Sequence, residues 1–438
     1  VEILAKGGEK MNRSFEIDEQ YAHKLDSEDP LSHFRERFYI SNSIYMDGNS
    51  LGLLSKDAEI PLLRVLSEWK TMGIRGWLEA EVPWFYYAEK LGATAAPLVG
   101  AEPEEVVATG TTTVNLHSLV STFYQPKGTR TKILTDELNF PTDIYALQSQ
   151  IKLKGLSPQE HLILAPSKDG RFLDEEEVVE LMTDDIVLCL FCSVLYRSGQ
   201  LLDIPYLTEK AHKRGILIGF DCSHSAGVVP HFFDEWDVDF AFWCSYKYLN
   251  GGPGSIAFLY VNKNHFHREP SLAGWFGYVK EKQFDMLLDF EHAHSAGGWQ
   301  ISSPSILSAA PVEGTLQMTV EAGIENIREK SVRMTSYLMW LVDELLTLPP
   351  YNYRTGTPRE PHRRGGHVAI EHEEAYRISE ALKMNGVISD FRPPNVIRIA
   401  PIPLYNTYHE VWQVVQYLKE IVDQKEYEKF PEERKTIT

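Results

Sequence analysis

The sequence predicts an α/β fold: a mostly parallel central sheet flanked by helices, followed by a smaller C-terminal α+β domain. Three observations predict it. Short apolar runs alternate with amphipathic helical patterns from about residue 106 to residue 261, as expected of strands buried on both faces. After Pro304 that alternation gives way to a long helical stretch and then a short α+β segment. The chain has 438 residues, 43% hydrophobic and 24% charged, enough to build a large core in two or three lobes.

The elements follow in order. Residues 11–45 are polar, helix-prone and rich in acidic and aromatic side chains, and Met11 reads as a start after ten upstream residues. Residues 47–53, D-G-N-S-L-G-L, form a turn, because two glycines and an asparagine favour positive φ. Ile60, Leu63, Val65, Leu66 and Trp69 recur at helical spacing over 57–70. Strands are predicted at 106–109, 132–135, 186–193, 216–221, 240–245 and 256–261, with helices at 112–124, 143–154, 175–182 and 204–214. A helical stretch over 305–346 has Gly314 and Gly323 as interruptions. A polar segment at 355–366, a strand at 367–370, a helix at 373–384 and a strand at 396–400 follow. Val411, Val414, Val415, Leu418 and Ile421 then mark a closing helix over 408–424, after which a charged tail frays. The expected division is an N-terminal arm, 1–55, packing on the small domain, a large domain, 56–310, and a small domain, 311–438.

Composition excludes several function classes. The chain carries 43 basic and 62 acidic side chains, a net charge of −19. That balance argues against nucleic-acid partners, which require phosphate-neutralising Lys and Arg. No apolar run reaches the roughly 18 residues of a membrane span. Cys189, Cys192, Cys222 and Cys244 all sit in apolar surroundings, which suits core residues of a cytoplasmic protein. Cys189 and Cys192 form C-x-x-C within a strand pattern, where positions three apart face opposite sides. No zinc spacing is complete, and the loop-like His265, His267, His292, His294, His362, His367 and His372 read as surface or structural residues rather than metal ligands. The Arg363–Arg364 pair reads as a solvated turn.

Three features fall at the ends of predicted strands, where open α/β sheets bind ligands. In V-A-T-G-T-T-T-V-N, Gly110 permits a tight turn, and Thr111, Thr112 and Thr113 offer hydroxyls and N–H groups at a helix start, a geometry that suits phosphate but also serves as an ordinary helix cap. In G-F-D-C-S-H, Asp221 ends an apolar strand and His224 follows; a carboxylate there needs a positive partner or a capping role. In C-S-Y-K-Y-L-N-G-G-P-G, Lys247 lies between two tyrosines after an apolar strand, and a lysine in an aromatic, poorly solvated pocket serves as a nucleophilic amine. Each alone has a bland structural reading. Together they match the needs of pyridoxal phosphate: a lysine for the Schiff base, a carboxylate for the pyridine nitrogen and a turn for the phosphate. Phe140, in N-F-P-T-D, offers an aromatic face for the ring.

With these motifs the chain resembles kynureninases from about Asp29 to Asn406. The matching segments are S-H-F-R-E-R-F-Y-I (32–40), G-N-S-L-G-L (48–53), T-V-N-L-H (113–117), F-P-T-D (140–143), G-F-D-C-S-H (219–224), W-C-S-Y-K-Y-L-N-G-G-P-G (243–254), A-G-W-F-G (273–277) and I-R-I-A-P-I-P-L-Y-N (397–406). The resemblance implies a fold-type I pyridoxal-phosphate enzyme that hydrolyses L-kynurenine, or its 3-hydroxy form, to L-alanine and anthranilate, or 3-hydroxyanthranilate. That places it in tryptophan catabolism and NAD biosynthesis. It implies catalytic roles for Lys247, Tyr246 and Asp221. It implies cofactor contacts from Thr112, Thr113, Phe140, Asp143, Asp221, His224, Tyr246 and Lys247, with Trp275 and Ser303 supplied by the partner chain of a homodimer. Arg398 would clamp the substrate carboxylate, with Asn49 and Trp77 also at the substrate, and no metal is expected. Ser303 stands where animal members carry Asn, and Ile74 lies near where they carry His, so a preference for unsubstituted kynurenine is expected.

Two other readings compete. One is a different fold-type I enzyme, a class V aminotransferase or a cysteine desulfurase; the latter needs a late-loop cysteine, and none follows Cys244. The other is a non-catalytic scaffold that retains the fold.

Overall fold

Seven strands build the central sheet: β1 (Val106–Ala108), β2 (Lys132–Asp136), β3 (Leu162–Ala165), β4 (Ile186–Cys192), β5 (Leu217–Asp221), β6 (Phe240–Trp243) and β7 (Phe258–Val261). The computed structural model describes residues 15–432; the expectation about Met11 lies outside them. Strand order is β1-β7-β6-β5-β4-β2-β3. All pairs are parallel except those of β7, which runs antiparallel to β1 and β6. The six strands predicted from apolar runs are present, and β4, β5, β6 and β7 are almost wholly buried, which is why they read as unbroken hydrophobic segments. The strand of this sheet missed in the sequence is β3, a four-residue edge strand of which only Ala165 is buried. An edge position relaxes the demand for apolar residues that makes an inner strand legible.

Helices α1 (Glu19–Ser27), α2 (Lys56–Met72), α3 (Tyr87–Ala95), α4 (Thr112–Phe123), α5 (Pro141–Leu153), α6 (Glu175–Glu180), α7 (Ile204–His212), α8 (Ile306–Ala322), α9 (Ile324–Leu346), α10 (Ala375–Met384) and α11 (Tyr408–Asp423) surround it. A second sheet, antiparallel throughout, has the order β10-β11-β9-β8, from β8 (Arg354–Thr355), β9 (Val368–Glu371), β10 (Asp390–Arg392) and β11 (Val396–Ile399). Its core gathers Leu338, Leu341 and Val342 of α9 with Ile370, Ile397, Val411 and Leu418, and it takes in Ala22 and Leu25 from α1. The arm is also tied to this region by a buried ion pair, Lys330 Nζ to Asp29 Oδ2 at 2.7 Å. Ile44–Tyr45 pairs with Val387–Ile388 in a separate two-stranded sheet; the turn at 47–53 then bridges from Asp47, paired with Ala400 just after β11, to the Tyr246 carbonyl just after β6.

Four expectations change. Gly314 does not interrupt a helix; α8 runs through it. A Cβ there would lie 1.7 Å from the Asp57 carbonyl oxygen, so glycine lets α8 meet the start of α2 at backbone distance. The break falls at Gly323, with φ +79°. The expected division at 310/311 therefore lies inside α8, whose Ala309, Val312 and Leu316 belong to the large-sheet core. The tail beyond Gln424 does not fray within the described residues: Arg377 Nε donates to the carbonyls of Tyr427 and Phe430 at 3.1 and 2.9 Å. Finally, Arg364 and His367 are buried, not solvated. Arg364 donates to the Thr335 and Ser336 hydroxyls and the Val332 carbonyl, a need for burial that no local pattern reveals.

The helical spacing in α2 holds, but the face it marks does not point inward. Ile60, Leu63, Leu66 and Trp69 are 48–67% exposed, while Val65 is buried.

Candidate active site

The site lies at the C-terminal ends of the parallel strands. β1 ends at Ala108, and Gly110 turns the chain at φ +53°. Asn115 Nδ2 donates to the Thr109 carbonyl at 2.8 Å, fixing that turn against α4. Thr111 caps α4 through its backbone conformation without a side-chain bond, so the first-turn N–H groups are left for an anion. Thr113 Oγ1 meets Thr142 Oγ1 at 3.3 Å. The starts of α4 and α5, both without a side-chain cap bond, thus converge.

The floor is acidic. Asp221 ends β5, and its Oδ1 accepts the Ser223 N–H at 2.7 Å. Asp143, fully buried on α5, has one carboxylate oxygen without a partner. Burial, and then the neighbouring charge of Asp221, push Asp143 well above the usual carboxylate range. Burial also raises Asp221, but Lys247, Ser223 and a hydrogen bond from Asp143 oppose that rise. Asp143 is thus the carboxyl pushed up more strongly, by burial and by Asp221, while Lys247 and Ser223 favour the charged form of Asp221. Cys192, at the end of β4, donates to Asn139 Oδ1 at 2.8 Å, and its thiol is pushed up by burial and by Asp221, Asp143 and Asp136. All four cysteines are free and buried, as the sequence predicts, but Cys192 also lines the site. Behind the floor, burial pushes Asp136 up to about 7.

Lys247 stands on the turn after β6. That turn is closed by the Asn250 N–H to the Lys247 carbonyl at 3.0 Å and the Gly251 N–H to the Ser245 carbonyl at 2.8 Å. The Gly52 N–H donates to the Tyr246 carbonyl at 2.7 Å, and a Cβ at Gly52 would lie 2.6 Å from the Lys247 carbonyl oxygen. Glycine is thus required where the 47–53 turn presses on the lysine's backbone. Lys247 Nζ lies 3.1 Å from His224 Nε2 and 6.0 Å from the Tyr246 ring centre. Burial, with Lys247 and Arg398 nearby, holds His224 well below the ordinary imidazole value; a neutral imidazole accepts from the amine at Nε2. Burial raises the Tyr246 phenol, so it stays protonated.

Thr112, Thr113, Phe140, Asp221, His224, Tyr246 and Lys247 line one cavity of about 170 Å³, with Thr142, Cys192, Val194, Tyr196 and Ser223. Asp143 lies at its floor within 4.8 Å of Cys192 and Asp221, measured between their ligand-type atoms. Of these, Thr142, Cys192, Val194, Tyr196 and Ser223 escaped sequence reasoning. Ser223 lies between Asp221 and His224, so proximity to a chosen motif was a usable signal; Tyr196 carried none.

The remaining predicted residues lie elsewhere in this chain. Arg398, on β11, is buried beyond Tyr196, to whose carbonyl its Nη1 donates at 2.9 Å. Asn49 is buried in the 47–53 turn with both amide atoms unpartnered. Trp77 packs against Trp84 and Phe276, with ring centres 6.0 and 5.9 Å away. Trp275 is half-exposed and stacks edge-on to Phe284 at 5.7 Å, and Ser303 is exposed. His367, which sequence reasoning set aside, is buried with both ring nitrogens unpartnered, its ring centre 5.8 Å from that of His224. Burial, with Arg398 and Lys247 nearby, pushes it down to about 3.

Solved structures of similar fold include the cysteine desulfurase of Thermococcus onnurineus NA1, with TM-score 0.74 and 18% identity over 94% of this chain and 99% of that one. Another is a C-DES mutant with glycine covalently linked to its PLP cofactor, with TM-score 0.75 and 15% identity over 88% and 98%. At such identity these matches establish the fold. Residues 327–418 match the family model of the kynureninase C-terminal domain. A kynureninase from Geobacillus thermodenitrificans is 58% identical over 95% of this chain and 97% of its own length. One from Bacillus cereus is 56% identical over 97% and 99%. With more than half of its residues shared along nearly its whole length, and with the cavity motifs inside the shared region, the chain belongs to the kynureninase family.

Proposed function

We propose that this protein is a cytoplasmic pyridoxal-phosphate enzyme of tryptophan catabolism that hydrolyses the Cβ–Cγ bond of L-kynurenine, yielding L-alanine and anthranilate. The observation that carries this reading is the convergence of Lys247, Asp221 and the uncapped start of α4 on one cavity in a chain of this family. The residues present fit the cofactor. Thr112, Thr113 and the α4 N–H groups would hold its phosphate, Asp221 its ring nitrogen, Phe140 its ring face, and Lys247 its aldehyde carbon. His224 Nδ1 and one oxygen of Asp143 are buried and unpartnered there, as polar groups awaiting a ligand would be.

Bound in this cavity, the cofactor supplies an electron sink conjugated to the substrate's Cα. Lys247 Nζ takes the Cα proton, and neutral His224 keeps that amine oriented. Asp221, with the Ser223 N–H on its Oδ1 and Lys247 nearby, supplies the negative charge at the floor. Tyr246 reaches the phosphate side and offers its retained phenol proton to the departing Cβ as water adds to the γ-carbonyl. Arg398 and Asn49 receive the α-carboxylate, and Trp77 offers an aromatic surface toward the aryl end. Purified protein with a visible cofactor absorption band that releases anthranilate from kynurenine is the expected result. A coloured protein that only transaminates or desulfurates would replace this reading with its nearest rival. A colourless, inert one would favour the scaffold.

Unsubstituted kynurenine is the preferred substrate, because Ser303 and Ile74 offer the aryl ring less hydrogen bonding than Asn and His would. The kcat/KM for kynurenine is expected to exceed that for 3-hydroxykynurenine by roughly tenfold; equal values would refute the preference.

The working unit is a homodimer. The exposed row Ile60, Leu63, Leu66 and Trp69 on α2 is an apolar stripe of the kind that a second copy covers, and Trp275 and Ser303 face outward as residues for a partner's cavity would. Leu63→Asp is expected to convert dimer to monomer in light scattering and to cut turnover by about a hundredfold. A wild-type monomer with full activity would sink the dimer.

A further inference from the structure

Arg398 is not an open fork. Its Nε donates to Asp390 Oδ1 at 2.7 Å, its Nη2 bonds Asp390 Oδ2 and also Ser50 Oγ at 3.0 Å, and its Nη1 donates to the Tyr196 carbonyl at 2.9 Å. Asp390 and Arg398 stand directly opposite each other on β10 and β11, so the sheet ladder fixes both backbones. Arg392 Nη2 also holds Asp390 Oδ2 at 2.6 Å, and Ser50 Oγ donates to the same oxygen at 3.1 Å. Burial would raise Asp390, but the bonds and charge of Arg398 hold it below the usual carboxylate range. The neighbouring Asp47 is lifted to about 6 by burial and by Asp390, so Asp390 is the firmer anion of the two. An incoming carboxylate that displaced Asp390 would leave a buried charge stripped of its closest partner, a costly exchange. The Nη1 end of Arg398 is the one that meets the Tyr196 carbonyl, and Tyr196 lines the cavity that holds Lys247. Beside Ser50, Asn49 keeps both amide atoms buried and unpartnered.

We propose that Asp390 is a positioning residue for substrate binding: it holds the Nε–Nη2 edge of Arg398, so that the amino-acid carboxylate is received by the Nη1 end together with the Asn49 amide. This rests on the kynurenine-cleaving reading. A freely rotating arginine would offer its side-on fork and place the substrate Cα differently over Lys247. Held by Asp390, it presents one end and fixes the distance between carboxylate and amine.

The test uses the holoenzyme with Asp390→Asn, which keeps the shape and removes the charge. KM for kynurenine and the calorimetric Kd for L-alanine are both expected to rise roughly tenfold or more. Over the same change kcat should stay within about threefold, and the visible cofactor band should not change. Unchanged or lower KM and Kd in a variant with wild-type thermal stability would overturn the proposal, the lower values meaning that Asp390 competes with substrate. If Asp390→Asn does not fold, Asp390→Glu keeps the ion pair but displaces the guanidinium by one methylene. The same selective loss of binding is expected there, and its absence would equally overturn the role. Wild-type protein that releases no anthranilate would sink the functional reading alone, and L-alanine binding would still judge Asp390.

Discussion

Lys247→Ala is expected to lower the rate of anthranilate release by at least about a thousandfold. The loss should exceed that of any other single substitution, because Lys247 unites two roles that other residues hold singly. On the proposed reading its amine would hold the cofactor, and the same Nζ, 3.1 Å from His224 Nε2, would move the substrate's α-proton. Among the described residues no second lysine lines the cavity, so no neighbour there can substitute. The variant should fold, because Lys247 is only half-buried and its backbone turn is held by the Asn250 and Gly251 N–H groups rather than by its side chain. Added cofactor should bind without the wild-type absorption band, and a small primary amine should restore part of the rate. A variant that keeps even a tenth of wild-type turnover would remove Lys247 from the reaction.

Lys330→Met is expected to cost about 3–5 kcal/mol of stability, measured by chemical denaturation, because it strands a buried carboxylate. Lys330 Nζ lies 2.7 Å from Asp29 Oδ2, both side chains are nearly inaccessible, and the amine also donates to the Pro403 carbonyl. Burial lowers the Lys330 pKa, and Asp29 opposes that shift; the pair therefore holds only while each partner is present. The double variant Lys330→Met with Asp29→Leu should recover most of the loss, because an apolar pair removes both desolvation penalties. The effect reaches function. Asp29 begins the segment that leads through Ile44–Tyr45 into the 47–53 turn, which touches Tyr246, Asn250 and Arg398 through Gly52 and Ser50. A loosened arm should raise KM before it unfolds the protein. A single variant that loses less than about 1 kcal/mol would show that apolar packing of α1 anchors the arm instead.

Much of this fold is legible in the sequence. The inner strands declared themselves because burial on both faces demands unbroken apolar runs, and α11 because one face must be apolar at helical spacing. Lys247, Asp221 and the Thr111–Thr113 turn were legible because each follows such a strand, and strand ends are where α/β sheets place ligands. Edge strand β3, the continuity of α8 through Gly314 and the docked tail were not legible. Each depends on what packs against it, and glycine signals a break or a close approach equally well.

By itself the sequence determined the inner strands, most of the helices and the family, because these follow from local periodicity and from motifs contiguous in the chain. Only the tertiary structure decided which way α2 turns its apolar row, that His367 and Arg364 are buried, that Asp143 is buried beside Asp221, and that Asp390 already occupies one edge of Arg398. The physical reason is the same in each case: burial, carboxylate proximity and guanidinium geometry are set by groups distant in the chain or placed by pairing and packing, and linear order does not encode their distances.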